Sequence, residues 1–438
     1  MKKQILLIII IILSTANAQI KNITLKESLE IGLKNSKELK ISKSKVKSAK
    51  SSIREVGSQM LPKISFGANY SRLSEVDPFE ITVPFYSEPI RIQESILNNY
   101  SLSLSLQQPL FTGFRLTSLK QASENFYESI KVDDLQKANE VAYDVHKAFW
   151  NFYKSQKQLK LVNENLTALS KHLEDTKNFL DEGVATKNDL LRIQVMYSNT
   201  ELKKIEAENY VNVSRVLLNK ALGIELNNET DIVAQLSEPD LSPYSYDELL
   251  FEALENRNEI QSINYVLKAN ENNITASKAG YLPSVYLSSN LYYSKPNQRI
   301  MPLEDEFNET WDVSVSLNWD LWDWGHTSSK VIQAEQSLVQ TENQLNIIKE
   351  NIETEVYRNY LTLISGFDKV KVSKSSVEAS EENLRITNEK YLNQLATSRD
   401  LMDAEVDLLE SKINLITSMI DFELARVNLE KSAGRKIY

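Results

Sequence analysis

Ser101-Leu102-Ser103-Leu104-Ser105-Leu106-Gln107 alternates apolar and polar residues without a break. A period of two puts one kind of side chain on each face of a β-strand. Its counterpart later in the chain, Trp311-Asp312-Val313-Ser314-Val315-Ser316-Leu317-Asn318-Trp319, does the same. Two more strands are expected after Leu61-Pro62 and Leu282-Pro283, at 64–73 and 284–293. Each segment has about ten residues, the length a tilted strand needs to cross an outer-membrane hydrocarbon band. Trp311, Trp319, Trp322 and Trp324, four of the five tryptophans, gather here with Tyr292 and Tyr293. An interfacial aromatic girdle has that composition. A soluble sheet with one wet face also alternates, but the chain shows no soluble α/β pattern and begins with a secretory signature, which favours a membrane barrel. Four strands cannot close a barrel, because small closed barrels need about eight. An open edge in lipid leaves backbone groups unpaired, so several copies must share one barrel. Two copies would give eight strands and three would give twelve.

The strands sit in a duplicated frame. Leu33-Lys34-Asn35-Ser36-Lys37-Glu38-Leu39 recurs as Leu254-Glu255-Asn256-Arg257-Asn258-Glu259-Ile260, and Leu61-Pro62 as Leu282-Pro283, both 221 residues on. Beyond the strands the offset is 211: Leu110 matches Leu321, Ala185-Thr186 matches Ala396-Thr397, Asp189-Leu190 matches Asp400-Leu401, and Gly223 matches Gly434. The ten-residue difference falls between Pro62 and Pro109, in a loop. An offset held this long marks an internal repeat. The first repeat spans 19–223, with strands 64–73 and 100–108, a long helix 114–181 and a helix 189–222. A linker or equatorial segment covers 224–244. The second repeat spans 245–438, with strands 284–293 and 311–320 and helices 326–392 and 400–432.

Composition narrows the function. The 438 residues carry 50 Lys+Arg against 60 Asp+Glu, a net charge of −10, so the basic footprint of a nucleic-acid binder is missing. There is no cysteine, which excludes disulfides and thiolate chemistry. The three histidines, His146, His172 and His326, are too scattered to suggest a metal site. No Gly-x-Ser-x-Gly, His-Glu-x-x-His or P-loop occurs, so neither an enzyme nor a cofactor is expected. Met1-Lys2-Lys3, the apolar run Ile5–Leu13 and Ala16-Asn17-Ala18 read as a signal peptide over 1–18. No cysteine follows the cut, so no lipoprotein anchor is expected.

Between Phe114 and Glu182 there is neither proline nor glycine, which predicts about 100 Å of continuous helix. The last helix carries two apolar stripes. One is Leu401, Ala404, Leu408, Ser411, Leu415, Ser418, Phe422, Ala425, Leu429 and Ser432; the other is Met402, Val406, Leu409, Ile413, Ile416, Ile420 and Val427. Both follow coiled-coil spacing, about 150° apart. A dimeric coiled coil needs one seam; two seams place a neighbour on each side, as in a cylinder wall. The remaining face, with Asp400, Asp403, Asp407, Glu410 and Asp421, reads as an acidic lumen. A periplasmic coiled-coil adaptor or structural envelope protein without a membrane barrel is the alternative for such helices.

The chain resembles the TolC family, the outer membrane factors of Gram-negative bacteria, over essentially the whole mature sequence. The resemblance rests on the duplicated Leu-Pro strands, on Pro109-Leu110-Phe111-Thr112-Gly113, and on two turns. These are Gly183-Val184-Ala185-Thr186-Lys187-Asn188-Asp189-Leu190 and Gln394-Leu395-Ala396-Thr397-Ser398-Arg399-Asp400-Leu401. It implies an α+β membrane protein, a homotrimer with a twelve-stranded barrel in outer-membrane lipid and a helical tunnel in the periplasm. It implies an exit duct for an inner-membrane pump of RND or ABC type, joined through a periplasmic adaptor. By family position, Gly183, Val184, Ala185 and Thr186, with Gln394, Leu395, Ala396 and Thr397, would receive the adaptor. Asp400 and Asp403 would ring the periplasmic aperture, and Tyr391 and Asp189 would tie neighbouring coils in the closed state. Gln394 stands where the second turn commonly has glycine, and Ala396 where some members have a basic residue.

Overall fold

A computed structural model describes residues 22–85, 87–93 and 95–438. The expected signal peptide, 1–18, lies outside them. Along the chain run α1 (Leu25–Asn35), α2 (Lys37–Ser58), β1 (Lys63–Arg72), β2 (Phe79–Ile81), β3 (Ile90–Gln93), β4 (Asn98–Phe111), α3 (Arg115–Asp181) and α4 (Lys187–Leu222). The second half repeats the scheme with α5 (Tyr246–Asn256), α6 (Asn258–Lys278), β5 (Ser284–Lys295), β6 (Asn308–Asn318), α7 (His326–Leu392) and α8 (Ser398–Ser432). The chain divides into two compact units, one of Met1–Ser42, Leu135–Arg257 and Glu350–Tyr438, the other of Lys43–Asp134 and Asn258–Lys349.

The duplication extends to the backbone. Gly113 and Phe114 both have positive φ at the entry to α3, and Trp324 and Gly325 do so at the entry to α7. Gly183 and Gln394 share the left-handed conformation, as do Gly223 and Gly434. All four pairs keep the 211-residue offset of the sequence. At Gly113 a β-carbon would come within 2.8 Å of the Ala279 carbonyl, so both backbone angle and space require glycine.

In the second unit the strands form one antiparallel sheet in the order β1-β4-β5-β6. The register lines up like with like: Phe66 opposes Leu104, which opposes Leu291, which opposes Trp311. On the other face Ser65, Ser105, Asn290 and Asp312 form the equivalent row. β4 extends to Phe111, past the expected end at 108, through an irregularity between Pro109 and Phe111. The loop that absorbs the ten-residue offset holds a separate hairpin of β2 and β3.

In the first unit, Ala142, Val145, Phe149 and Phe152 of α3 pack with Val211, Leu218 and Leu222 of α4 and Ile420 and Val427 of α8. The segment after α4 closes over this core. Asn219 donates to the carbonyls of Leu226 and Asn228 at 3.1 and 2.9 Å and accepts from the Thr230 hydroxyl at 2.6 Å. Ile23 and Ile232 form a parallel bridge, which ties the start of the described chain to this segment. The C-terminal residues are pinned as well: Arg435 pairs with Glu252 at 2.8 Å, and His146 Nε2 lies 3.0 Å from the Ile437 carbonyl. Burial pushes the His146 imidazole below its ordinary range.

Candidate functional site

The sheet is the first functional surface. On its apolar face Ile64, Phe66, Leu102, Leu104, Leu291, Trp311, Val313, Val315 and Leu317 are all exposed; Phe66 and Trp311 reach 71% and 68%. An exposed apolar face of this extent marks a surface that meets lipid or another apolar surface. The opposite face is polar and internally bonded, with Asn290 Nδ2 donating to Asp312 Oδ1 at 2.9 Å and Arg299 beside Asp312 at 3.4 Å. Aromatic side chains mark both ends of the apolar face. Tyr70 and Tyr100 meet tilted with ring centroids 4.9 Å apart, Tyr293 and Phe307 stack at 4.9 Å, and Tyr100 meets Phe307 at 5.8 Å. At the other end stand Trp319, Trp322 and Trp324, all exposed. From the level of Trp319 to that of Tyr293, which opposes Glu309, the strand rises about 34 Å. At a tilt of about 40° this spans about 26 Å, close to the apolar band of an outer-membrane barrel. No described helix is long and apolar enough to cross a membrane.

The two helix turns of the first unit form the second surface. Each long helix ends in a left-handed residue, Gly183 or Gln394. Each then closes with a six-to-one hydrogen bond, Val184 N to Phe179 O at 2.8 Å and Leu395 N to Lys390 O at 2.7 Å. That is the Schellman arrangement, which satisfies the last carbonyls. Its apolar position, Val184 or Leu395, is here exposed, Leu395 by 78%. The following helices begin with capping boxes. Thr186 and Asp189 cap α4, and Thr397 and Asp400 cap α8. Asp400 accepts from the Thr397 hydroxyl at 2.6 Å and from its N–H at 2.9 Å. These bonds hold the Asp400 carboxyl below its usual range. Asp400 is therefore a cap as well as an exposed charge. Asp403, also exposed, faces Arg399 at 3.7 Å.

Tyr391 and Asp189 are partnered separately. The Asp189 carboxylate is taken up by Thr186 at 2.6 and 3.0 Å. Tyr391, buried, meets Thr176 Oγ1 at 3.0 Å and packs edge-on against His172 and Phe179, with ring centroids 5.1 and 5.8 Å away. Burial pushes its phenol up, so it stays neutral and able to donate. His172 in turn lies 3.4 Å from Glu405 and 3.4 Å from Ser398 Oγ. Leu169, Ile193 and Met402 form the apolar layer alongside. His172, Thr176, Ser398 and Glu405 escape sequence reasoning. Their one signal is position: 169, 172 and 176, and 398, 402, 405 and 409, keep the three–four spacing of buried helix rows.

One four-stranded sheet with an exposed apolar face, two strands from each half of a duplicated chain of long helices and capped turns, has the features of an outer-membrane channel protein. The model of the outer membrane efflux protein family matches residues 29–224 and 249–435, and the chain belongs to that family. It is 22% identical over 453 aligned positions to the proteases secretion protein PrtF of Dickeya chrysanthemi, covering 99% of this chain and 92% of the relative. It is 21% identical over 354 positions to the probable efflux pump outer membrane protein TtgC of Pseudomonas putida, covering 78% and 70%. Its fold matches the crystal structure of CusC with a TM-score of 0.79 at 16% identity, over 94% and 92% of the two chains. It matches the outer membrane protein VceC of Vibrio cholerae with a TM-score of 0.76 at 17% identity, over 94% and 97%. The resemblance to the TolC family holds. The outer membrane is the compartment, with the helices in the periplasm. A barrel-free adaptor, the alternative left open by the helices alone, does not carry such a sheet.

Proposed function

We propose that three copies of this chain form a continuous exit duct, with a twelve-stranded barrel in the outer membrane and a helical passage in the periplasm. The observation that carries this is the sheet: its apolar face is exposed, and β1 and β6 are its two edges. In lipid those edges need partners. Direction runs alternately through β1, β4, β5 and β6, so β6 of one copy meets β1 of the next antiparallel, and an even-stranded barrel closes. The family resemblance supports three copies over two. The polar face, with Ser65, Ser105, Asn290 and Asp312, then lines the passage.

The turns are the docking end. Gly183, Val184, Ala185 and Thr186, with Gln394, Leu395, Ala396 and Thr397, present two exposed apolar tips, Val184 and Leu395, to a helical hairpin of a periplasmic adaptor. The adaptor couples the duct to an inner-membrane pump of RND or ABC type. Asp400 and Asp403 from three copies ring the aperture and attract cations. Tyr391, through Thr176, and Asp189, through the cap of α4, keep the tip closed until the adaptor engages. The relatives include proteins named for protease secretion and for efflux, so the duct serves one of these two export routes. The test is purification in detergent followed by planar-bilayer recording. Discrete, cation-preferring conductance from a three-chain particle supports the reading; a detergent-independent, non-conducting single chain overturns it.

A further inference from the structure

We propose that His172, Glu405 and Ser398 form a proton-responsive tie between α3 and α8 that holds the turn region shut more firmly in acid. This rests on the reading of the turns as the gate of the duct. His172 and Glu405 are only 4% and 6% exposed, and Ser398 is buried with them. Glu405 has no described ion-pair partner except His172. An imidazole between a carboxylate and a hydroxyl meets both in either protonation state, but with different strength. Neutral, it offers one N–H, and Glu405 remains a buried carboxylate without a countercharge, which is costly. Protonated, it donates from Nδ1 to Glu405 and from Nε2 to Ser398, and the first bond becomes charge-assisted. Histidine changes charge between about pH 5 and 8.

The ionisable groups that face His172 are Glu405 on α8 and Tyr391 on α7; Asp175 on α3 and Asp189 at the start of α4 lie near Tyr391, one residue further out. Arg399, next to Ser398 in the chain, is exposed and turned to Asp403. Beside this tie, α3 and α8 meet near the turns through the small apolar contact of Leu169 with Met402, so weakening the tie favours local separation of the two helices there. Acid therefore favours the closed arrangement, and rising pH loosens it.

The absence of native cysteine makes the test direct. Met402, buried beside Leu169 and Ile193, is replaced by cysteine as the reporter, and the exposed Leu395 by cysteine as the reference. Maleimide labelling of full-length, detergent-purified M402C relative to L395C measures opening without any channel assay. The M402C/L395C ratio is expected to be about fivefold lower at pH 5.5 than at pH 7.5, the gain from a neutral to a charge-assisted bond. In His172→Gln, and in Glu405→Gln as a second variant, the ratio is expected to lose that pH dependence. The same pH dependence with and without His172 overturns the tie. Labelling that follows pH while single-channel conductance does not keeps the tie and overturns the gate reading instead.

Discussion

The Tyr391 hydroxyl lies 3.0 Å from Thr176 Oγ1, so the end of α7 is held to α3 by a buried hydrogen bond. Thr176 also donates to the His172 carbonyl at 2.8 Å, so it keeps a partner when Tyr391 is changed. Tyr391→Phe is therefore expected to cost about 0.5–1 kcal/mol, the net worth of one neutral hydrogen bond. A double-mutant cycle with Thr176→Val, read by thermal unfolding in detergent, should give a coupling of the same size. Additive effects would show that the two hydroxyls act independently.

Gln394 has φ +63 where the first repeat has Gly183 at φ +78. A side chain in the left-handed region costs roughly 1 kcal/mol. Gln394→Gly is expected to raise the thermal midpoint slightly, and Gly183→Ala to lower it. A β-carbon at Gly183 meets nothing within 4 Å, so the second effect is backbone strain alone. Opposite signs for the two substitutions are the signature; equal signs would refute it.

Thr397→Ala removes a cap from α8 and is expected to cost about 1 kcal/mol. The pH dependence has a defined sign. The Asp400 carboxyl is depressed below its ordinary 3.8. Its contribution is present above that value and is lost as pH falls through the folded-state value. Amide exchange at the first turn of α8 should therefore show less protection in strong acid, and Asp400→Asn should abolish that change.

In the proposed three-chain duct, Asp400→Asn with Asp403→Asn would keep side-chain shape and remove six charges from the aperture. Cation preference, read from reversal potentials under a salt gradient, is expected to fall towards neutrality. Preference equal to wild type would move the selectivity element elsewhere.

On the sheet, Val313→Arg points a charge into lipid and is expected to cost about 2–4 kcal/mol. Ser314→Arg, one residue on, lies on the polar face that would line the proposed passage and is expected to be tolerated. The yield of folded, membrane-inserted assembly separates them, and equal loss would contradict the assigned faces.

The sheet is legible in the sequence because one face of each strand meets lipid and the other water, which writes a period of two into Ser101–Gln107 and Trp311–Trp319. The duplication is legible because one offset persists through turns whose left-handed residues are fixed by geometry. The hairpin of β2 and β3 is masked by Pro78, Pro84 and Pro89, which demote a strand reading. Thr186-x-x-Asp189 and Thr397-x-x-Asp400 carry a capping pattern, while family position alone reads the same acids as a coil tie and an aperture charge. The His172 cluster leaves almost no trace. Buried polar side chains on heptad rows become recognisable only when α3, α7 and α8 are brought together.

The most direct test of the shared barrel uses the edges of the sheet. With no native cysteine present, Ser65→Cys on β1 is combined in turn with cysteine at Asp312, Ser314 or Ser316 on β6, and the membranes are oxidised. Antiparallel neighbours bring β-carbons within disulfide reach. One of the three pairings should give a covalent ladder that stops at three chains. No cross-linking in any pairing, a ladder ending at two, or one that continues past three would contradict a closed three-chain duct.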